Sequence, residues 1–404
     1  MRKAWVVAVV LAIGPLAAAQ NAPSGGLAMS PAIEFPAAGV VLAAPEGFQL
    51  QAPDQPMDVM AAVQAGPSGP AMAMTLTVLP VPDPQVDLEV IVRRVREQQA
   101  ANLAIRRLEV LKSTEMPVAG LKGLALLVSY TFRGQEHFAA RVFFLRELPS
   151  ITHRLCYVLT VEASEASRNQ LLPVLGEIIK TTQLVSLTHP SQLPVEPPIA
   201  RTGDAAGRFV VGVPRGWFVA AAPGGLNLGQ MDYLAGQPGR RVALMVRPAS
   251  TDTSVEELSR RDCQSAAAMG QQAGIQSRVV SQLPTTLAGQ EAWQFVVEQM
   301  APTPATATAA SLPTTATSAP APQTVVIVQR MTRLRDTSGA TLSVAVITSQ
   351  ASPAKALEDM EQLVAHLELP APVPQTAPAT GPAPSAGPAA PASVGRPATA
   401  PAVR

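Results

Sequence analysis

Apolar residues alternate with polar or small ones along several stretches of the chain, and this period of two predicts strands with one buried face. The clearest stretch runs from Ala71 to Leu79. Its apolar side chains occupy every second position and are expected to face the core: Met72, Met74, Leu76 and Val78. A similar run from Met57 to Ala65 precedes it across a turn rich in glycine and proline, which predicts a hairpin.

Helical spacing of apolar residues predicts two helices in the first half of the chain. One begins at Asp87, carries apolar residues as far as Leu103 and has charged residues on its other face. The other contains Leu171 to Ile179, and Pro173 is expected either to lie in its first turn or to kink it. Three long strands are predicted between the helices: Leu121 to Phe132, Glu136 to Arg146 and Arg154 to Glu162.

The same order of elements returns later in the chain. Pro45-Glu46-Gly47-Phe48 recurs 169 positions on as Pro214-Arg215-Gly216-Trp217. At the same interval, Val118-Ala119-Gly120 recurs as Leu287-Ala288-Gly289. A repeat of domain length indicates that one fold has been used twice, and the repeated glycines are interpreted as turn formers.

The interval lengthens to 188 where Ala163-Ser164 aligns with Ala351-Ser352, and we attribute the extra residues to an insertion rich in Pro, Thr, Ala and Ser. Segments of such composition bury too little apolar surface to fold, so the insertion and the Pro/Ala-rich end of the chain are expected to be disordered. The predicted organisation is a signal peptide at 1–19, a first module at 33–187, a Pro-rich linker at 188–204, a second module at 205–369 with the insertion at 301–323, and a tail at 370–404.

The N-terminal residues have the pattern of an export signal. Arg2 and Lys3 precede an apolar run from Ala4 to Ile13, and Ala17-Ala18-Ala19 supplies the small residues that cleavage requires. We therefore expect a protein exported to the periplasm or the medium, with no integral membrane segment after cleavage. A formal net charge of +1 gives no electrostatic attraction to nucleic acid.

The two cysteines, Cys156 and Cys263, fall at non-equivalent places in the repeat. We interpret them as small buried apolar side chains, one in a strand and one in a helix. A disulfide joining the two modules is the alternative in an exported protein.

The residues that carry chemistry are scattered. Among the four histidines, His137 and His153 lie on nearby predicted strands, and we interpret them as a surface-facing pair and not a metal site. Gly66-Pro67-Ser68-Gly69 lacks the glycine spacing of a hydrolase elbow, and no phosphate-binding loop occurs. The sequence therefore assigns no catalytic, cofactor-binding or metal-binding residue.

Two further groups of residues allow a functional and a structural interpretation. The arginines cluster on the first helix and on one later strand, and we favour solvated faces over an anion-binding patch: Arg93, Arg94, Arg96, Arg106, Arg107, Arg330, Arg333 and Arg335. Trp217 and Trp293 fall at strand positions where the repeat predicts core residues.

The Pro-Arg-Gly-Trp turn, the hairpin, the helix, the three long strands and the closing helix together resemble a PsbP-like domain, an α+β sandwich with an antiparallel sheet flanked by helices. PsbP, DcrB and LpqN share this sandwich. The resemblance covers both modules and implies envelope or lumenal proteins that bind partners without catalysis. The chain departs from the lipoprotein members because no lipidation cysteine follows its signal.

These observations favour an exported, non-enzymatic binding or scaffolding protein of the cell envelope, with a protein or an envelope component as its partner and no cofactor. Two alternatives stay open. One is a small-ligand carrier with an apolar cavity, and the other is a hydrolase-type enzyme whose site forms between the modules.

Overall fold

The computed structural model describes residues 27–66, 69–132, 134–148, 153–272, 274–300, 324–334, 339–349 and 351–370. The predicted signal peptide, the predicted insertion and the predicted tail beyond residue 370 lie outside these ranges. The described residues belong to one compact unit and form two halves of the same architecture.

The first half contains ten strands and two helices. They are β1 (Ile33–Phe35), β2 (Val40–Leu42), β3 (Phe48–Gln51), β4 (Asp58–Gly66), β5 (Gly69–Val81), α1 (Leu88–Ala100), β6 (Ile105–Val118), β7 (Leu121–Phe132), β8 (Gln135–Arg146), β9 (Arg154–Ser164), α2 (Leu171–Thr181) and β10 (Gln183–Leu184). Seven strands pair in the order β3-β4-β5-β9-β8-β7-β6, and β1, β2 and β10 form a small second sheet.

The second half repeats this list element by element. It contains β11 (Pro198–Gly203), β12 (Val210–Pro214), β13 (Phe218–Ala222), β14 (Gly225–Asp232), β15 (Gln237–Arg247), α3 (Val255–Gln272), β16 (Gln276–Leu287), β17 (Gln290–Met300), β18 (Thr324–Arg333), β19 (Thr341–Ser349), α4 (Pro353–Val364) and β20 (Leu367–Glu368). The large sheet has the order β13-β14-β15-β19-β18-β17-β16, which is the first order shifted by ten strands. The predicted fold class, two tandem antiparallel sheets flanked by helices, is confirmed.

Each large sheet is covered on both faces. In the first half, α2 packs on the face that carries Met72 and Met74, and α1 packs on the opposite face around Val128 and Phe143. Both methionines are fully buried, as the alternating pattern predicts. The second half has the same layers, with α4 on one face of its sheet and α3 on the other.

Local sequence signals set where the helices begin. The Asp87 side chain accepts a hydrogen bond from the Val90 amide and caps α1, as the sequence predicts. Ser254 caps α3 by accepting from the Glu257 amide at 3.1 Å. Ser352 caps α4 in the same way, with Pro353 as its first residue.

The sequence pattern does not predict one long strand in each half. Strands β6 and β16 lie at the edges of the large sheets, where most of their side chains are exposed, so the apolar alternation that marks the inner strands is weak. Because β6 starts at Ile105, the helix predicted to reach Leu103 ends at Ala100, and Leu103 is 91% exposed.

The pairing of strands also corrects the alignment of the two halves. Tyr130 of β7 pairs with His137 of β8, and the corresponding pair in the second half is Gln299 of β17 with Val325 of β18. The interval between corresponding residues is therefore 188 for β8 and β18. Phe138 of β8 pairs with Ala163 of β9, and the corresponding pair in the second half is Val326 of β18 with Thr348 of β19. The interval between corresponding residues is therefore 185 for β9 and β19. Ala351-Ser352 lies beyond the end of β19 and is not the structural equivalent of Ala163-Ser164.

The segment interpreted as a linker, 188–204, takes part in the fold. It contains a 3₁₀ turn at Pro190–Gln192 and strand β11, which pairs with β12. The core of the first half also continues into the second, since the buried side chains of Phe218, Met231 and Tyr233 belong to it. Proline fixes the path of this segment while apolar contacts on both sides hold it in place.

The turns that join β6 to β7 and β16 to β17 carry an avoidable strain. Ala119 and Ala288 have φ values of 47° and 48°, and each is followed by a glycine with positive φ. A two-residue hairpin loop in which both residues have positive φ is the conformation for which the sequence Asn-Gly is preferred. We predict that Ala119→Asn and Ala288→Asn each raise the free energy of unfolding by about 0.5–1 kcal/mol, measured by urea denaturation. Ala221→Asn, an exposed position in the extended strand β13, is the control and should give no gain.

Candidate functional site

A pocket of about 180 Å³ lies between the two halves. Phe35 and the residues after it, together with Val59, form its first-half wall. The second half contributes the turn at Arg215, Gly216 and Trp217, the end of β14 at Gln230 and Met231, and Tyr233 just beyond it. Leu193, Pro194 and Glu196 of the connecting segment close one side. The pocket therefore exists only when both halves are packed together.

The repeated Pro-x-Gly-aromatic turn builds one wall of this pocket. The Trp217 amide donates to the Pro214 carbonyl at 3.3 Å, and Gly216 has a φ of 72°, which a residue with a side chain rarely adopts. A Cβ at Gly216 would lie 3.8 Å from the Phe35 ring of the first half. Gly216 is therefore a turn former, as the sequence predicts, and its turn lies beside the Phe35 ring.

Gln230 supplies the polar wall. Its side chain is 9% exposed, and its Oε1 has no hydrogen-bond partner among the described residues. An unsatisfied buried acceptor costs about 1–3 kcal/mol, which a hydrogen bond from a bound group would recover. Nothing in the sequence distinguishes this glutamine from the other glutamines of the strands.

The charged groups of the pocket are Arg215, Glu196 and Glu34. The Arg215 Nε lies 3.7 Å from the Glu196 carboxylate, which is too long for a hydrogen bond, and this Nε has no hydrogen-bond partner among the described residues. Glu34 is exposed at the rim. With one arginine and two glutamates, the rim carries a formal charge of −1.

Polar contacts fix the two halves around the pocket. The Tyr233 hydroxyl donates to the Met57 carbonyl at 3.4 Å, and its backbone carbonyl lies 2.8 Å from His153 Nε2. The neighbouring Asp232 carboxylate accepts from the Leu234 amide and lies 2.6 Å from His189 Nε2. Burial raises the pKa of Tyr233 well above its usual value, so this phenol stays a neutral donor.

Behind the pocket wall lies a fully buried ion pair, Arg240 with Asp359, whose Nε and Oδ2 atoms are 3.0 Å apart. The guanidinium lies 6.0 Å from the centre of the Trp217 ring and donates to the Leu193 carbonyl at 3.2 Å. Burial lowers the pKa of Arg240 and raises that of Asp359, and each charge opposes the change in its partner. The pair thus supports both Trp217 and the connecting segment at the pocket.

A second polar centre lies under α1 in the first half, away from the pocket. Tyr130, His137, Arg141 and Glu162 are each at most 4% exposed and share one face of the sheet. Arg141 lies 3.6 Å from the Glu162 carboxylate and donates to Gln99 of α1. The His137 ring stacks on Tyr130 with centroids 5.5 Å apart. Burial lowers the pKa of His137 and raises that of Tyr130.

This centre overturns the interpretation of His137 and His153 as a surface-facing pair. His137 is buried near the start of β8 and pairs with Ser164, while His153 lies just before β9 at the other end of the same hairpin. Strands β8 and β9 are antiparallel, so the start of β8 lies beside the end of β9. The rings of His137 and His153 are therefore at opposite ends of the hairpin. Among the described residues, no group of three or more His, Cys, Asp or Glu side chains could hold a metal ion.

The arginines divide in the structure. Arg93, Arg94 and Arg96 are exposed on α1, as a solvated face requires. Arg330 does not fit that interpretation, because it is 4% exposed and donates to Gln294 and Glu361. Its strand is covered by α4, which the sequence of the strand alone does not reveal. Arg335 lies outside the described residues.

The remaining candidates are mainly core residues. Cys156 and Cys263 are free and buried, which confirms their interpretation as apolar side chains and excludes the bridge in this structure. Trp217 is 1% exposed, as predicted, but it also lines the pocket. Trp293 is only partly buried, so the prediction of a core position does not hold for it. No described helix has the length and apolar character needed to cross a membrane.

Comparisons with known proteins give structural likeness only. No protein-family model and no curated protein matches the chain. LpqN of Mycobacterium tuberculosis, a protein involved in cell envelope biogenesis, is 14% identical with a TM-score of 0.29 over 36% of this chain and 83% of its own. PsbP of Synechocystis is 8% identical with a TM-score of 0.28 over 45% of this chain and 97% of its own.

The immunity protein TplEi of Pseudomonas aeruginosa matches a longer part, 80% of this chain and 97% of its own, at 11% identity and a TM-score of 0.23. LpqN and PsbP each align with a length close to that of one half. They are two of the proteins that the sequence pattern resembles.

The buried ion pair can be tested against the other half of the same chain. Arg240 corresponds to Met72 of the first half, because Arg240 pairs with Thr348 as Met72 pairs with Ala163. Asp359 of α4 corresponds to Val174 of α2, since both are the second buried residue of their helix. We predict that Asp359→Val alone lowers the free energy of unfolding by about 3–5 kcal/mol, since it leaves the Arg240 charge buried and unpaired. Arg240→Met should cost less, since Lys355 Nζ remains 3.3 Å from the Asp359 carboxylate. The double variant should lie within about 1 kcal/mol of the wild type in urea denaturation. A double variant as unstable as the single ones would contradict this account.

Asp58 of β4 gives the fold a pH dependence. Burial raises its pKa to about 6, although the Thr77 hydroxyl donates to it at 2.6 Å and opposes the shift. The folded protein therefore holds a proton that the unfolded chain releases, and the free energy of unfolding should fall as pH rises from about 4 to about 6.

We predict that Asp58→Asn removes this slope and stabilises the protein at pH 7 by about 2–3 kcal/mol, measured by urea denaturation across the pH range. Asp252→Asn, an exposed position, is the matched control and should keep the wild-type profile. Equal pH profiles for wild type and Asp58→Asn would contradict the assignment.

Proposed function

We propose that the protein is an exported, non-enzymatic binding protein of the cell envelope that holds a protein partner at the pocket between its two halves. The N-terminal pattern of Arg2, Lys3 and the apolar run from Ala4 supports export. The apolar lining of the pocket and its unpaired polar atoms support binding of a partner.

The observation that carries the proposal is the combination of rigid apolar walls and unpaired polar atoms in one concave place. Phe35, Trp217 and Tyr233 are at most 5% exposed and are held by the cores of both halves. Between them, Gln230 and Arg215 keep one acceptor and one donor without hydrogen-bond partners among the described residues. Preformed walls with a few placed polar groups are typical of binding sites.

The size of the pocket favours a partner over an enclosed small ligand. Pockets that enclose drug-sized ligands have volumes of roughly 300–1,000 Å³. The space between the halves is about 180 Å³ and accepts only part of such a molecule. It therefore suits a side chain that projects from a larger partner, as at the anchor points of protein interfaces.

The polar groups of the pocket suit recognition better than catalysis. Gln230 does not titrate, and the Tyr233 hydroxyl already donates to a carbonyl and is kept neutral by burial. Arg215 is a fixed charge beside Glu196. Together these residues offer hydrogen bonds and charge to a bound surface, and they form no nucleophile–base pair within the lining.

The repeated turn provides a matched test of this proposal. Arg215 and Glu46 occupy the same place in the two turns, but only Arg215 lines the pocket. We predict that wild type and Glu46→Arg, immobilised as full chains, retain the same protein from an envelope extract, whereas Arg215→Glu loses it. The purified partner should then bind Arg215→Glu at least about tenfold more weakly by calorimetry, since the hydrogen-bond donor that Arg215 offers is replaced by an acceptor. Equal losses in both variants, or none, would contradict the proposal.

A further inference from the structure

We infer that the pocket takes an extended peptide segment of the partner that presents one large apolar side chain next to a lysine or arginine. This inference rests on the proposed function and specifies its ligand. Three properties of the pocket lead to it: its size, the pairing of its unsatisfied atoms and the charge of its rim.

The size selects a single side chain. A volume of about 180 Å³ would hold on the order of a dozen water molecules. Most of the wall is apolar, with Phe35, Val59, Trp217 and Met231 among the lining residues. An aromatic or large aliphatic side chain replaces poorly bonded water there and gains contact with rings that lose no freedom on binding.

The unpaired polar atoms match a peptide group. Gln230 Oε1 accepts and Arg215 Nε donates, and neither has a hydrogen-bond partner among the described residues. Both atoms are shielded from solvent in the free protein, so a bound peptide reaches them after a small rotation of the Gln230 and Arg215 side chains. A peptide backbone offers one N–H donor and one carbonyl acceptor per residue, which suits this pair of groups. Strand β14 is paired on both sides, with β13 and β15, and side chains rather than a free strand edge must therefore recognise the backbone.

The rim selects the charge beside the apolar residue. Arg215 is partly balanced by Glu196 at 3.7 Å, and no ion pair to Glu34 is present within the described part of the chain. Glu34 is exposed at the mouth, where it meets whatever residue flanks the inserted side chain. A cation at that position is attracted and an anion repelled, an effect of about two- to fivefold in affinity for an exposed pair.

The test uses three capped peptides titrated into the full chain, with binding followed by ligand-observed NMR: acetyl-Gly-Phe-Lys-Gly-amide, its Glu analogue in place of Lys, and its Ala analogue in place of Phe. The Phe-Lys peptide is expected to bind at least about threefold more tightly than the Phe-Glu peptide. The Ala analogue should show no measurable binding, because it leaves the pocket unfilled. Glu34→Arg should reverse the charge preference, and Glu46→Arg, the matched exposed position outside the pocket, should retain it.

The outcomes separate this inference from the proposed function. Equal binding of the Lys and Glu peptides, or binding that Arg215→Glu does not weaken, would overturn the inferred ligand. If the extract partner is retained through Arg215 while none of the peptides binds, the ligand class is wrong and the proposed function stands. If the peptides bind as expected while Arg215→Glu retains the partner as well as the wild type does, the ligand class is supported and the proposed function fails.

Discussion

The packing of the second half into the core of the first is the constraint on which the rest of the structure depends. Phe218, Met231 and Tyr233 come from strands at one side of the second sheet, yet they are buried with the apolar residues of the first half. Burial of three such side chains contributes about 1.5–3 kcal/mol each, which is comparable with the whole stability of a domain. This shared core makes the pocket a rigid feature and joins two sheets that would otherwise be independent.

Duplication has left the two halves alike in backbone and different in buried polarity. The first half holds Tyr130, His137 and Glu162 under α1, where the paired positions of the second half include Gln299 and Val325. The second half buries Arg240 and Asp359 where the first has methionine and valine. Because a buried charge is stable only with its partner, the members of each centre depend on one another, and each half specifies its own packing.

The sequence predicts the inner elements well because periodicity reports burial. Alternation locates β5, helical spacing locates α1 from Asp87, and the repeated turns locate the two copies. Strand β6 is not predicted, since an exposed edge strand has no apolar alternation. The same limit explains His137: a single polar residue gives no periodic signal, and only the packing of the sheet under α1 shows that it is buried.

The sequence by itself determined that one fold occurs twice and that its sheets are antiparallel with helices on their faces, and it favoured both cysteines as apolar core residues over a disulfide. Only the tertiary structure decided what the repeated Pro-x-Gly-aromatic turn does. In the first copy it joins two strands, and in the second it lies against Phe35 and lines a pocket with Gln230. Local composition encodes turns and strands through short-range sterics. A site between two halves depends on contacts between residues far apart in the chain, which no spacing along the sequence records.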